Sequence, residues 1–279
     1  MKHQLNSLYI VSTPIGNLDD ITLRAIEVLK NSDIVICEDT RHSIKLLNHL
    51  KIKKKLISCH KFNEKKQTIE VIKHINQGKI LSLISDAGTP LLSDPGRLLV
   101  NECIKNKINI VPIPGASSIT SAMSVSGFSD QFIFYGFLPK KNNELEKLLK
   151  SLSKINYSQV FFAPSNKLNF YIQNFKKYYS DRKLLIAKEI TKLHEAFFRD
   201  NVNNFKLFKT PLKGELTIVI SEKNNKDKIF NEKEIMQKAK KYLRSLSVKD
   251  TVETIFKREK INKKKIYELC LKIKNEKNS

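Results

Sequence analysis

The sequence lacks the features of several large protein classes. No apolar run approaches the roughly 18–20 residues that a membrane-spanning helix needs. The first residues, MKHQLNSLYIV, pass directly into a strand pattern without the apolar core and cleavage site of a signal peptide. The cysteines form no CxxC pair and stand apart at Cys37, Cys59, Cys103 and Cys270. We therefore expect a cytoplasmic protein with reduced core cysteines that binds neither a metal nor a membrane.

Two common phosphate-binding motifs are also missing. A Rossmann dinucleotide site would show GxGxxG after its first strand, whereas this sequence has Thr13-Pro14-Ile15-Gly16-Asn17 there. A Walker loop would end in GK[ST], which occurs nowhere in the chain. These absences disfavour a nucleotide-sugar transferase or another α/β transferase that depends on a phosphate-binding loop.

Acidic residues are scarce relative to basic ones. The chain has 28 Asp and Glu against 51 Lys and Arg, which gives a formal net charge of +23. Such an excess favours contact with a polyanion, with nucleic acid ahead of an acidic membrane. The basic residues are overwhelmingly lysine, and Asn and Ile are abundant, a composition that AT-rich coding would also produce. Charge therefore favours nucleic-acid binding without establishing it.

The first part of the chain, residues 1–118, alternates short apolar runs with segments of helical period. We predict strands at Leu8–Val11, Asp33–Cys37, Lys55–Cys59, Ile80–Ile84 and Ile108–Ile113. We predict helices at Ile21–Lys30, Ser43–Leu50, Gln67–Asn76 and Arg97–Lys105. The apolar runs are continuous rather than alternating, as in strands that are covered on both faces. This βαβ repetition predicts a doubly wound parallel sheet with right-handed crossovers.

A second α/β domain with a mixed sheet is predicted over residues 119–222. Its strands are expected at Phe132–Phe137, Gln159–Ala163, Leu184–Glu189 and Glu215–Ile220. Its helices are expected at Glu144–Leu152 and Leu168–Tyr178. The polar stretch Glu222–Asn231 reads as a linker, and residues 232–279 as a small basic helical C-terminal domain. Ser247, with Asp250 three residues later, and Asn262 are the predicted helix caps of that domain.

Loops rich in glycine, proline and small polar residues follow the predicted strands of the first sheet. These loops are Ser12–Asn17, Glu38–Arg41, Ser85–Pro90 and Pro112–Ser118. Ligands of open parallel sheets bind just outside the carboxyl ends of the strands, so we expect the loops to form one binding site. Gly16, Gly88 and Gly115 would let a ligand approach the backbone, and the prolines would stiffen the loops. Taken singly, each loop could equally be an ordinary tight turn.

These motifs resemble those of the tetrapyrrole (corrin/porphyrin) methylase superfamily, and more closely its ribosomal RNA methyltransferase branch. The likeness is carried by Thr13–Leu18 with Asp20-Ile21, Glu38-Asp39-Thr40-Arg41, SDAGTPLLSDPG at 85–96, Pro114–Ser118, Gly136–Pro139, Lys188–Lys192 and Leu246–Asp250. It implies a class III methyltransferase-like fold of two α/β domains and a homodimer. It also implies S-adenosyl-L-methionine as the cofactor and methylation of a cytidine ribose 2′-hydroxyl in small-subunit ribosomal RNA, within the assembled 30S subunit. The sequence departs from the branch pattern at Phe162–Lys167 and at Lys188, where an arginine is usual.

The same resemblance assigns roles to residues. The cofactor cleft would be lined by Pro14, Gly16, Asp86, Ala87, Gly88, Thr89, Ser117, Ser118, Ala163 and Ile190. A ribose hydroxyl needs a general base, and the candidates are Glu38, Asp39, Glu189 and Glu195. Asp39 with Arg41 is the preferred pair and Glu189 a further catalytic residue, the alternative being that Asp39 and Arg41 form only a structural salt bridge. RNA contacts are expected from Lys188, Arg244, Lys249, Arg258, Lys263, Lys264 and Lys265.

Two rival functions share these features. A methylase of a small tetrapyrrole would use the same cofactor cleft, and its carboxylate-rich substrate would also be attracted to a basic protein. A non-catalytic RNA-binding protein that retains the fold would bind RNA without consuming the methyl donor.

Overall fold

The structure, a computed structural model, describes residues 6–223, 232–259 and 262–278. Contacts between residues divide the chain into two compact units, Met1–Lys223 and Asn224–Ser279. Both predicted α/β domains fall within the first unit, and their predicted boundary at residue 118 stays a prediction. Most of the predicted linker, residues 224–231, lies outside the described residues.

The first sheet is wholly parallel, with strands in the order β3-β2-β4-β1-β5. Its strands are β1 (Ser7–Val11), β2 (Ile34–Cys37), β3 (Lys55–Ser58), β4 (Leu81–Ile84) and β5 (Asn109–Ile113). The helices between them are α1 (Leu23–Asn31), α2 (Thr40–His49), α3 (Glu64–Asn76) and α4 (Arg97–Lys105). The predicted doubly wound parallel sheet is confirmed.

Alternate residues of these strands enter different cores, because successive side chains of a strand point to opposite faces. In β2, Ile34 and Ile36 pack into a core with residues of α3 and α4. Val35 and Cys37 pack into another core with residues of α1 and α2. Covering both faces explains why the strands read as continuous apolar runs. The free cysteines, Cys37, Cys59, Cys103 and Cys270, are all buried, as predicted.

The second sheet is mixed, with strands in the order β6-β7-β10-β8-β9. A short helix, α5 (Ser118–Ser124), leads to β6 (Phe132–Phe137), α6 (Asn142–Leu152), β7 (Ser158–Pro164), α7 (Leu168–Tyr178), β8 (Lys183–Lys188), β9 (Ala196–Asn201) and β10 (Glu215–Ile220). Only β6 and β7 pair in parallel; the other neighbours are antiparallel. The predicted mixed sheet is confirmed.

Two elements of this part were absent from the sequence prediction, and helices α2, α3 and α6 begin earlier than predicted. The edge strand β9 pairs only with β8, and its residues are half-buried or exposed, so it lacks an apolar run. Helix α5 is rich in serine and threonine, which are mediocre helix formers, and it folds onto the core through Ile119 and Ala122. Helices α2 and α3 begin three residues before their predicted starts, and in α2 the Asp39 side chain caps the first turn.

The C-terminal unit contains α8 (Glu232–Tyr242), α9 (Val248–Glu259) and α10 (Lys263–Asn278). Its apolar core includes Ile235, Val252, Ile255, Ile266 and Leu269. The predicted caps are present. The Ser247 hydroxyl accepts a hydrogen bond from the Asp250 backbone N–H at 3.1 Å. The Asn262 side chain accepts one from the Lys264 N–H at 2.9 Å. Within the described ranges, no helix is long and apolar enough to cross a membrane.

Candidate functional site

The main cavity of the first unit has a volume of about 390 Å³ and is lined by residues of both sheets. Its first wall consists of residues that follow β1, β2, β4 and β5, the carboxyl ends predicted to carry the site. Its second wall consists of residues on or beside β6, β7, β8 and β10, among them Phe162, Ala163, Ala187 and Leu216. The volume lies within the range of about 300–1,000 Å³ that is typical of small-molecule sites.

The loop after β4 is held by backbone bonds to the loop after β1. The N–H of Thr13 donates to the Gly88 carbonyl at 2.9 Å, and the N–H of Gly88 donates to the Thr13 carbonyl at 3.0 Å. The Ser85 hydroxyl donates to the Gly88 carbonyl at 3.0 Å. Gly88 has a φ of +82°, in the left-handed region that glycine adopts without strain. The backbone of this loop is therefore fixed before any ligand binds.

The other predicted glycines make room for the chain itself. A Cβ at Gly16 would collide with Lys192 Cγ and would lie 2.8 Å from the Thr191 hydroxyl oxygen. A Cβ at Gly115 would lie 2.9 Å from Ser12 Cβ. Glycine is therefore needed at these two positions because neighbouring loops, and not a ligand, approach the backbone there. The Asn17 N–H also donates to the Thr191 hydroxyl at 3.0 Å, which ties the β1 loop to the loop after β8.

Most of the predicted cofactor residues meet at the cavity. Its lining includes Asp86, Ala87, Gly88, Thr89, Ser117, Ser118, Ala163 and Ile190. Pro14 and Gly16 flank Ile15, and it is Ile15 that lines the cavity. That any of these residues contacts a cofactor stays a prediction. The prediction omitted Asp94, although it belongs to the SDPG end of the same motif, and the β10 residues Leu216 and Thr217, whose apolar strand carries no local signal.

Asp39 and Arg41 lie in a shallower depression beside the cavity, which they share with His60 and Asp86. The Arg41 guanidinium donates to Asp39 through Nε at 3.0 and 3.1 Å and through Nη2 at 2.6 Å. The Arg41 backbone N–H donates to the same carboxylate at 2.8 Å. These bonds from Arg41 lower the pKa of Asp39 to about 2. A carboxylate with so low a pKa is a weak proton acceptor near neutral pH.

Glu189, the other predicted catalytic residue, is enclosed by its own loop. Its carboxylate accepts hydrogen bonds from the Glu215 N–H at 2.8 Å and from Lys192 Nζ at 2.9 Å. These bonds, first that from the Glu215 backbone and then that from Lys192, lower the pKa of Glu189. The side chain fills the space beside Gly214, where a Cβ would collide with it. Glu189 therefore shapes the loop that brings Ile190 to the cavity.

Hydrogen bonds also hold the rest of the loop that follows β8. Glu195 Oε2 accepts a hydrogen bond from the Thr191 N–H at 2.7 Å. Lys188 Nζ, which was predicted to contact RNA, donates to the His194 carbonyl at 2.9 Å. Glu189 and Thr191 adopt positive φ values of 50° and 67°, which are uncommon for residues other than glycine. The hydrogen bonds of this loop hold it in that conformation.

The cavity is acidic although the chain is strongly basic. Its lining contains Glu38, Asp86, Asp94 and Glu215, and no Lys, Arg or His of the described chain belongs to it. Burial, followed by the charges of Glu38 and Asp86, raises the pKa of Asp94 to about 6. Burial, followed by the charge of Asp86, also raises the pKa of Glu38. Like charges close together in a partly buried site raise the cost of ionising each of them, so the cavity favours a cationic occupant.

The basic residues predicted to contact RNA in the C-terminal unit lie on its surface. Exposed positions are held by Arg244, Lys249, Lys263, Lys264 and Lys265. Lys263 also pairs with Glu253 and stands 4.6 Å from the centre of the Phe256 ring. The side chain of Arg258 lies outside the described part of the chain. Among the described residues, no group of His, Cys, Asp and Glu is arranged to hold a metal ion.

Comparisons with known proteins place this geometry in a family. The model of the tetrapyrrole (corrin/porphyrin) methylases matches residues 7–206. A protein of Thermotoga maritima named ribosomal RNA small subunit methyltransferase I is 45% identical over 224 residues, which are 78% of this chain and all of that one. Its namesake in Synechocystis is 36% identical over 277 residues, which are 95% of this chain and 98% of that one.

Among solved structures, a uroporphyrin-III C-methyl transferase of Thermus thermophilus complexed with S-adenyl homocysteine has a TM-score of 0.55. It is 13% identical, and the match covers 77% of this chain and 97% of that one, so it shows a common fold. The residues that the family model matches span the first sheet and the second sheet as far as β9. The chain belongs to the tetrapyrrole (corrin/porphyrin) methylase family, and within it to the branch of the proteins named ribosomal RNA small subunit methyltransferase I.

Proposed function

We propose that this protein transfers a methyl group from S-adenosyl-L-methionine to the ribose 2′-hydroxyl of a cytidine in small-subunit ribosomal RNA. The observation that carries the proposal is the acidic cavity formed by rigid loops of both sheets. S-adenosyl-L-methionine carries a sulfonium and an ammonium group, and carboxylates attract both. When bound, it supplies an electrophilic methyl group on the sulfonium.

The lining residues fit this cofactor in three further respects. The loop Asp86–Thr89 offers its backbone to polar groups of a ligand. Apolar side chains of the other wall, such as Ala163 and Leu216, suit the adenine ring. No cysteine or lysine of the described chain lines the cavity, so no strong nucleophile stands beside a reactive methyl group.

The choice of RNA as the methyl acceptor is supported by charge and by the relatives. The formal net charge of +23 favours a polyanion, and the C-terminal unit exposes a series of lysines. The relatives that cover most of this chain are named for ribosomal RNA of the small subunit. We extend the proposal, as the motifs suggest, to the assembled 30S subunit as the substrate and to a homodimer as the active form.

A methyl-transfer assay with alternative acceptors tests the proposal. The protein is incubated with tritiated S-adenosyl-L-methionine and, in separate reactions, purified small ribosomal subunits, free ribosomal RNA, or a corrin or porphyrin precursor. We expect label in RNA of the assembled subunit, at a cytidine whose 3′ phosphodiester resists alkali because its 2′-oxygen is methylated. Label in the tetrapyrrole would show that the substrate is the tetrapyrrole and not RNA. Label at a cytidine whose 3′ phosphodiester stays sensitive to alkali would show that the methyl group is on the base and not on the ribose.

A variant of the cavity tests whether the methyl donor binds there. Gly88→Val introduces a branched side chain at a φ of +82° and within 3.2 Å of Ile15 Cγ2, while leaving the C-terminal unit unchanged. We expect this variant to bind RNA and to transfer no label. A wild-type protein that binds RNA but never transfers label would instead be a non-catalytic RNA-binding protein.

A further inference from the structure

Methylation of a hydroxyl requires a group that takes up its proton, and three of the four carboxylates predicted for that role accept hydrogen bonds. Asp39 receives its bonds from Arg41. Glu189 receives bonds from the Glu215 N–H and from Lys192. Glu195 accepts a bond from the Thr191 N–H. Hydrogen bonds from N–H donors stabilise the ionised form of a carboxylate and lower the pKa of Asp39 and Glu189, so these two side chains are weak proton acceptors.

Asp94 differs from them in its surroundings. It lines the main cavity together with Glu38 and Asp86. Its carboxylate has no hydrogen-bond partner within the described part of the chain. Glu38 also lines the cavity, but it lies next to the Asp39–Arg41 pair and shares the shallower depression with it. Asp86 belongs to the same depression and accepts a bond from the Asp39 N–H at 3.3 Å, and Glu215 pairs with Lys192. Asp94 is therefore the carboxylate of the main cavity that lies apart from that depression and from an ion pair.

The segment that carries Asp94 is held in an unusual conformation. Leu91 and Ser93 have φ values of 70° and 74°, which non-glycine residues rarely adopt, and Gly96 has a φ of 121°. Glu64 of α3 fixes the end of the segment, because its Oε1 accepts bonds from the N–H groups of Gly96 at 2.9 Å and Leu98 at 2.8 Å. These contacts hold Asp94 at the cavity wall rather than leaving it on a loose loop.

We propose that Asp94 is the general base that accepts the proton of the hydroxyl being methylated. This inference rests on the proposed function and names a residue of the same site. As the oxygen–methyl bond forms, the sulfur–methyl bond breaks and its electron pair stays on sulfur, which becomes a neutral thioether. The hydroxyl proton passes to the Asp94 carboxylate and afterwards to water, so charge and atoms balance.

The electrostatics of the site suit this role. Burial and the nearby charges of Glu38 and Asp86 raise the pKa of Asp94 to about 6. A base is most effective when its pKa lies close to the working pH, because it is then both deprotonated and strongly basic. The cavity lining also contains Glu215, and Glu64 and Arg97 lie at the starts of the flanking helices α3 and α4.

The pH dependence of kcat/KM for the methyl donor tests the proposal, because it reports the groups of the free enzyme. For the wild type we expect kcat/KM to rise with pH and to level off above about 6, where Asp94 is ionised. Asp94→Asn should lower kcat/KM about 100-fold or more at pH 7.5, the usual contribution of a general base. Asp94→Glu, which keeps the carboxylate but moves it, should recover part of that loss.

Glu38→Gln is the matched control, since it removes a neighbouring charge without removing the base. Its pH profile should keep the rising limb but shift it to lower pH, because the charge of Glu38 contributes to the raised pKa of Asp94. Loss of the rising limb in Glu38→Gln, with its retention in Asp94→Asn, would assign the base to Glu38 and overturn the proposal.

Two measurements that do not depend on turnover complete the test. Carbon-13 NMR of the carboxyl groups in the ligand-free protein should show a resonance that titrates near pH 6 and is missing from Asp94→Asn. Calorimetry should show that Asp94→Asn still binds S-adenosyl-L-methionine. A variant that cannot bind the donor would make Asp94 a binding residue, and an unchanged kcat/KM would exclude it as the base. A wild type that methylates no hydroxyl would remove the proposed function itself.

Discussion

Replacing Asp94 by asparagine should stabilise the protein at neutral pH. The pKa of Asp94 rises from its ordinary 3.8 to about 6 in the folded protein. The folded chain therefore holds this proton more tightly than the unfolded chain does, and stability falls as the pH rises from about 4 to about 6. A shift of about two pKa units corresponds to roughly 3 kcal/mol in the free energy of unfolding. Because Asp94 is only half-buried, solvent screening reduces this figure to about 1–2 kcal/mol.

Asparagine has nearly the same shape and stays uncharged at every pH, so it removes this penalty. We expect Asp94→Asn to unfold at higher urea than the wild type at pH 7.5, with the two proteins converging near pH 4. Unfolding of the first unit can be followed by circular dichroism at pH 4, 6 and 7.5. In thermal melts the gain should appear as roughly 2–4 °C per kcal/mol for a unit of this size.

Asp39→Asn is a control in which the free energy of unfolding should change in the opposite direction. Arg41 lowers the pKa of Asp39 to about 2, so the contribution of Asp39 to stability is present above its ordinary pKa and is lost as the pH falls through that range. This variant should be less stable than the wild type at pH 7.5. The reasoning about Asp94 would be refuted if Asp94→Asn were destabilised at pH 7.5, or if its difference from the wild type did not change with pH.

Three further predictions concern the site and the C-terminal unit. Gly88→Val should abolish binding of S-adenosyl-L-methionine in calorimetry, because valine does not tolerate a φ of +82°; retained micromolar binding would place the cofactor elsewhere. Asp39→Asn should lower kcat less than Asp94→Asn does, because Arg41 already occupies Asp39; the reverse order in single-turnover rates would restore Asp39 as the base. Charge reversal of exposed basic residues should weaken RNA binding and flatten its salt dependence without changing cofactor affinity, and filter binding at several salt concentrations measures this for Arg244→Glu, Lys249→Glu and Lys264→Glu.

The value of Asp94 to the reaction and its cost to stability would have the same origin. A carboxylate that is partly buried beside Glu38 and Asp86 is a stronger base, and its ionised form is less stable. Functional sites often carry such local costs, and substitutions that remove them stabilise a protein while lowering its activity. Opposite changes in stability and in turnover for one variant would be the signature of that relation.

The local sequence was sufficient to predict the limits of several helices and strands. Helix α4 and the strands β6 and β10 have the predicted limits, because apolar residues mark each of them in the local sequence. Edge strand β9 and helix α5 could not be predicted, because their residues are partly exposed and their local preferences are weak. Pairing with β8 stabilises β9, and packing of Ile119 into the core stabilises α5.

For the site, the sequence by itself determined which loops lie together at one edge of the first sheet. Parallel strands place their carboxyl ends at one edge, so a chain that puts its glycines and prolines after each strand also fixes where the cavity forms. Only the tertiary structure decided which carboxylate remains available there. Glu189 is paired with the distant Glu215 N–H, whereas Asp94 has no partner among the residues that the structure describes and is partly desolvated beside Glu38 and Asp86. Burial and the charges of neighbouring residues set that distinction, and both exist only once the chain has folded.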